Sequence, residues 1–106
     1  MVKKLQLTFL LYFLIIFLAM CTADASPRGK RVYETNCIGC HNVNPRKAGS
    51  IAPDVWGSSE DLLRLKVLNG TYPKGYKPKR DTKIMPLFPQ LRNEIKVLRD
   101  YLNEKN

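Results

Sequence analysis

Hydrophobic and polar positions along the chain fall into four unequal segments. From Leu5 to Met20 the residues are almost without interruption apolar, a run of 16 that shows neither helical nor strand periodicity. The next segment is polar, opening on Ser26-Pro27, a pair suited to the N-cap and first position of a helix. That helix is predicted to reach about Asn36, with Val32 and Tyr33 turned inward. Asn42, Asn44, Pro45, Gly49, Pro53 and Gly57 then mark a loop. Ser58-Ser59 ahead of Glu60-Asp61 predicts a capped helix start with acidic groups facing its positive end. Leu62, Leu65, Val67 and Leu68 continue this helix, and Asn69-Gly70 closes it. Thr71 to Pro89 holds four prolines and no apolar period, so it is predicted as a long loop. Leu91, Ile95, Leu98 and Leu102 recur at helical spacing and predict an amphipathic last helix. No segment alternates as a strand does. The reading is all-α, with three or four helices and long loops.

The first apolar run changes the meaning of the composition. The chain has 106 residues, 44% of them hydrophobic, and a formal net charge of +9. Lys3-Lys4, the apolar run and Ala23-Asp24-Ala25 have the layout of a secretory leader with an A-x-A cleavage site. The run is shorter than the roughly 20 residues a spanning helix needs. Residues 1–25 are therefore read as a signal peptide and residues 26–106 as the one domain, exported most readily to a periplasm. Leu18-Ala19-Met20-Cys21 also has the outline of a lipobox, although Met before the cysteine fits it poorly. A lipidated Cys21 or an uncleaved anchor would instead hold the protein at a membrane. Without Lys3, Lys4 and Asp24, 16 basic and 8 acidic side chains remain, a net of +8. One Trp, one His, one Met and one Phe also remain. A chain this short rarely forms a sufficient apolar core without a staple, a metal or a partner, and a large multistep enzyme is excluded.

The remaining cysteines stand together in Cys37-Ile38-Gly39-Cys40-His41. Two cysteines in an exported protein can form one disulfide. A C-x-x-C redox pair calls for a βαβ setting that this pattern lacks. A structural zinc needs four ligands, and no second His or further Cys exists beyond the leader to supply them. C-x-x-C-H itself is the attachment pattern of c-type haem. Two thiols one helical turn apart can bond the two vinyl groups on one edge of the macrocycle, and the adjacent imidazole can turn beneath the ring.

Other features extend this motif into a resemblance. Gly29, Tyr33 and Cys37 keep a Gly-xxx-aromatic-xxx-Cys spacing, Pro53 follows the motif by about a dozen residues, and Met85-Pro86 precedes a helix carrying Leu98-x-x-Tyr101. In this order the chain resembles a small bacterial-type class I cytochrome c over Ser26 to Asn106. The resemblance implies the cytochrome c fold around one covalently attached haem c. It implies a one-electron carrier, not an enzyme, with Cys37 and Cys40 as the thioether positions. His41 and Met85 would be the axial iron ligands, with Lys83 an alternative at high pH. The backbone carbonyl of Pro53 would fix the His41 tautomer. Gly29 would admit Tyr101 where the first and last helices cross. Trp56 would either donate to a haem propionate or roof the pocket. A haem-bearing subunit of a larger oxidoreductase is an alternative. So is a haem peroxidase or ligand sensor, although the lone histidine leaves no acid–base group for peroxide.

The basic excess concentrates between Tyr72 and Lys83. Lys74, Lys77, Lys79, Arg80 and Lys83 there face Asp81 alone, a local net of +4. Such a run is either a solvated loop or a docking patch that steers an acidic redox partner. Nucleic acid is not expected, because no stacking residues interleave with the charges as such binding requires.

Overall fold

The structure, a computed structural model, describes residues 1–19 and 25–105, the side chains of Ala25 and Ser26 excepted. The A-x-A site and Cys21 thus lie wholly or largely outside the described residues. Four α-helices and one 3-10 turn appear, and no strand is present among the described residues. Helix α1 spans Val2–Ala19 and buries none of its side chains. Helix α2 spans Ala25–Asn36, α3 spans Glu60–Asn69, and α4 spans Ile95–Leu102.

Local chemistry sets the ends of these helices. At α3 the Ser59 hydroxyl accepts the Leu62 N–H at 3.1 Å, and Glu60 and Asp61 occupy the first turn. Gly70 ends it with φ +71°, a left-handed conformation that costs glycine little. The Thr71 N–H then reaches back to Leu65 O at 3.2 Å. Helix α2 starts earlier than Ser26-Pro27 predicts. Ala25 is already helical, which puts Pro27 within the first turn, where its missing N–H costs no helical bond. The last helix also differs from its pattern. Pro89–Leu91 forms the 3-10 turn, the Glu94 N–H closes on Leu91 O at 2.8 Å, and α4 proper begins at Ile95. The tight i to i+3 closure stops the turn from running on as α-helix.

The core lies where α2, α3 and α4 meet. Tyr33 of α2, Leu63, Val67 and Leu68 of α3, Leu91, and Ile95, Leu98 and Leu102 of α4 form one buried cluster. Each such side chain contributes about 1.5–3 kcal/mol on removal from water. Four of the eight are the leucine and isoleucine positions whose spacing marks the last helix. Helices α2 and α4 cross at Gly29, where an added Cβ would lie 2.1 Å from Val97 O and 2.7 Å from Tyr101 Cβ. The crossing brings the Tyr33 and Tyr101 rings to 5.7 Å between centroids, tilted by 49°. Arg28 and Glu94 pair at 2.5 Å beside it. The C-terminal end is tied to the start of α3 by Gly57 N–H to Leu102 O and by Asn103 Nδ2 to Ser58 O, each 2.8 Å.

Candidate functional site

Helix α2 ends on the cysteine motif. Cys37 N–H still donates to Tyr33 O at 2.9 Å, and His41 N–H donates to Cys37 O at 2.9 Å. The pentapeptide is therefore a wound turn continuing the helix, with both cysteines and the histidine on a short arc. The chain then doubles back. Ala52 N–H donates to Cys40 O at 3.2 Å, Gly49 N–H to Ala52 O at 2.8 Å, and the Val55 and Trp56 N–H groups both reach Pro45 O at 3.0 Å. Tyr33, fully buried, donates its hydroxyl to Asn42 O at 2.5 Å, so the core itself anchors this loop. Burial, with lesser electrostatic contributions, holds the Tyr33 hydroxyl well above the usual tyrosine range.

The return places Pro53 O 2.7 Å from His41 Nδ1. A carbonyl only accepts, so Nδ1 carries the proton and Nε2 keeps the lone pair. Gly49 allows the close return: a Cβ there would lie 2.2 Å from Cys40 O and 3.0 Å from the His41 backbone. In the sequence Gly49 reads only as a turn former. Its contact with a motif nine residues earlier carries no local signal.

These groups open onto a cleft enclosing about 1120 Å³ with its solvent-open mouth. Cys37, Cys40 and His41 line it together with Met85, which comes from the long loop before α4. Ala52, Val55, Leu62, Leu63, Val67, Ile84 and Phe88 make most of the remaining wall apolar. No disulfide joins the two cysteines. Burial pushes the Cys37 thiol up to about 11, so it stays protonated at neutral pH and is a poor redox nucleophile. The donor set suits a flat apolar macrocycle with an iron centre: two thiols and an oriented imidazole from one segment, a thioether from another, and an apolar wall.

Trp56 is not among the residues lining the cleft. Its ring instead lies under the Arg46 guanidinium, 4.1 Å from the centroid. The basic run of the long loop divides. Lys74, Lys77 and Lys83 are exposed and make no ion pair among the described residues. Lys79 and Arg80 turn to the cleft. Lys79 Nζ donates to Asp54 Oδ2 at 2.8 Å and to Asp54 O at 3.2 Å, and Arg80 donates to Gly49 O at 3.1 Å. The Lys79 hydrogen bond holds the Asp54 carboxyl below the usual carboxylate range. Tyr72 and Tyr76 stack on the cleft wall at 5.3 Å and 12°, with Lys66 Nζ 4.5 Å above the Tyr72 ring. Neither the Asp54 contacts nor the tyrosine stack has a signal in the sequence, since a proline-rich loop imposes no period.

The family model for cytochrome c matches residues 26–104. No curated protein and no solved structure matches the chain.

Proposed function

The chain belongs to the cytochrome c family, which binds covalently attached haem c and carries electrons, and we propose that this member is an exported His/Met-ligated shuttle between redox proteins. One observation carries the reading. A single apolar cleft gathers Cys37, Cys40, His41 and Met85 from two segments 44 residues apart in the sequence. Haem c supplies the redox chemistry, its iron taking up and releasing one electron.

The protein's own groups do the rest. Cys37 and Cys40 would tether the macrocycle, which a domain with so small a core could not otherwise retain. Pro53 O holds His41 with Nε2 available as a ligand. The Met85 thioether, a weak donor, would favour the reduced state and raise the potential relative to a second imidazole. The apolar wall would limit the access of water to the charge that changes. The chain has one histidine, and that one is bonded to Pro53. No imidazole is left for acid–base work on peroxide, which supports a carrier over a peroxidase.

The exposed Lys74, Lys77 and Lys83 support an acidic protein as partner. Their loop runs into Thr82, Ile84 and Met85 of the cleft wall, so like charge gathers beside that wall. Like-charge clusters of this kind raise encounter rates with an opposite partner by about 10- to 1000-fold at low salt. Helix α1 fits either an export leader or an anchor. Its 18 residues span about 27 Å against a hydrocarbon thickness of about 30 Å. A periplasmic location follows from cleavage and a membrane-bound one from retention.

Acid-acetone extraction and absorption spectra test the core of this reading. The haem should remain with the polypeptide. The ferric protein should show the weak far-red band of methionine ligation, and Met85→Ala should abolish it and lower the potential. Haem released into the organic phase would refute covalent attachment.

A further inference from the structure

The loop that carries Met85 is fastened unevenly. At its start Thr71 N–H bonds Leu65 O and Tyr76 N–H bonds Pro73 O, at 3.2 and 3.0 Å. At its end Phe88 N–H bonds Val67 O at 2.8 Å. Between Tyr76 and Phe88 no residue makes a backbone–backbone hydrogen bond among the described residues. Residues 77–87 form a strap, and two side chains supply its hydrogen bonds to the rest of the molecule. Lys79 reaches Asp54 through both the carboxylate and the carbonyl, and Arg80 reaches Gly49 O. The receiving segment is itself rigid. Gly49 packs against the Cys40 and His41 backbone, Gly49 N–H bonds Ala52 O, and Pro53 O holds His41 Nδ1.

We propose that Lys79 and Arg80 act as a clasp that positions Met85, locking the strap to the Gly49–Asp54 segment that orients His41. The inference rests on the reading of Met85 as the distal ligand. One short segment then sets both sides of the cleft: it fixes the imidazole directly and the thioether through the strap. The clasp is built from partly exposed groups, with the Lys79 and Asp54 side chains 44% and 38% exposed. It is therefore weak singly and sensitive to salt. The chemistry also separates roles within the basic run. Lys79 and Arg80 serve the molecule's own geometry, whereas Lys74, Lys77 and Lys83 stay free for a partner.

The test is the rate at which imidazole displaces Met85 in the ferric holoprotein, read from loss of the far-red band at saturating imidazole. Lys79→Gln and Asp54→Asn should each raise that rate about two- to five-fold, the range expected for one exposed pair. The double variant should be no faster than the faster single one, because both remove the same contact. Lys79→Arg, which keeps the charge and can donate to Asp54, should stay near wild type. Lys74→Gln removes equal charge from the same loop and should leave the rate unchanged. High salt should narrow all differences. Wild-type rates in both single variants, multiplicative effects in the double, or equal acceleration by Lys74→Gln would each overturn the clasp. A far-red band that survives Met85→Ala would overturn the ligand reading and the clasp with it.

Discussion

Replacing Gly29 by alanine should loosen the junction of α2 and α4, and the size of the effect follows from the contact geometry. The new methyl would sit 2.1 Å from Val97 O, 2.8 Å from Val97 C and 2.7 Å from Tyr101 Cβ. None of these atoms can swing aside by a change of rotamer. Ordinary contact begins near 3.4 Å, so the helices must part by about 1 Å along that line. The displacement reaches Tyr33, Ile95, Leu98 and Leu102, each almost wholly buried. Overpacking of this kind costs about 1–3 kcal/mol, and a clash with backbone belongs at the upper end. Alanine recovers about 1 kcal/mol through helix propensity, leaving a net loss of about 2 kcal/mol. For a domain of this size that lowers Tm by about 8–16 °C. Thermal unfolding of the holoprotein, followed by far-ultraviolet circular dichroism and in the haem Soret band, measures it. A Gly29→Ala protein at least as stable as wild type would show that the crossing tolerates a wider spacing.

Ser59→Ala should cost about 1 kcal/mol by removing the only side-chain cap of α3, seen as a shift in denaturant midpoint at unchanged m. Lys74→Glu with Lys77→Glu should slow reduction by an anionic small-molecule reductant and electron transfer to an acidic partner. Both effects should shrink as ionic strength rises, with the potential nearly unmoved; equal slowing by Lys105→Glu would mean that only net charge matters. Asp54 predicts an acid response. Its folded-state pKa is depressed by Lys79, so its contribution is complete above the unfolded carboxylate value near 3.9. That contribution fades as pH falls through the lower folded value, and Asp54→Asn should flatten this part of an acid titration of stability.

The fold was legible where its causes are local or periodic. Ser59 and Gly70 cap α3 through bonds within one turn, and Leu91, Ile95, Leu98 and Leu102 declare their buried face by spacing alone. The haem motif was legible because thiol and imidazole chemistry need adjacent residues. Helix α2 starts two residues before the predicted first position at Pro27, since proline is compatible with several first-turn positions. The basic loop was legible only as charge. Which of its cations face outward depends on Asp54 and Gly49, which lie 25 and 31 residues away from Lys79 and Arg80. The stack of Tyr72 on Tyr76 is hidden although the two are four residues apart, because the proline-rich loop imposes no period, and the role of Gly49 against Cys40 is hidden because a glycine signals only a turn.

The strap also determines how the molecule comes apart. Its amides have no helical ladder to break, so residues 77–87 should exchange hydrogen for deuterium through small local openings. The amides at 52, 55 and 56, bonded to Cys40 and Pro45, should wait for larger ones. The distal side of the cleft can then open and close while α2, α3, α4 and the 42–57 loop stay folded. A trypsin cut should fall first after exposed Lys83, since Pro78 shields the bond after Lys77 and the Lys79 and Arg80 side chains are bonded to Asp54 and Gly49. Such a nick would release Met85 from one tether and leave the segment bearing Cys37, Cys40 and His41 intact. On the proposed Met85 ligation, damage to this protein should begin as a change of ligand long before it becomes a loss of fold.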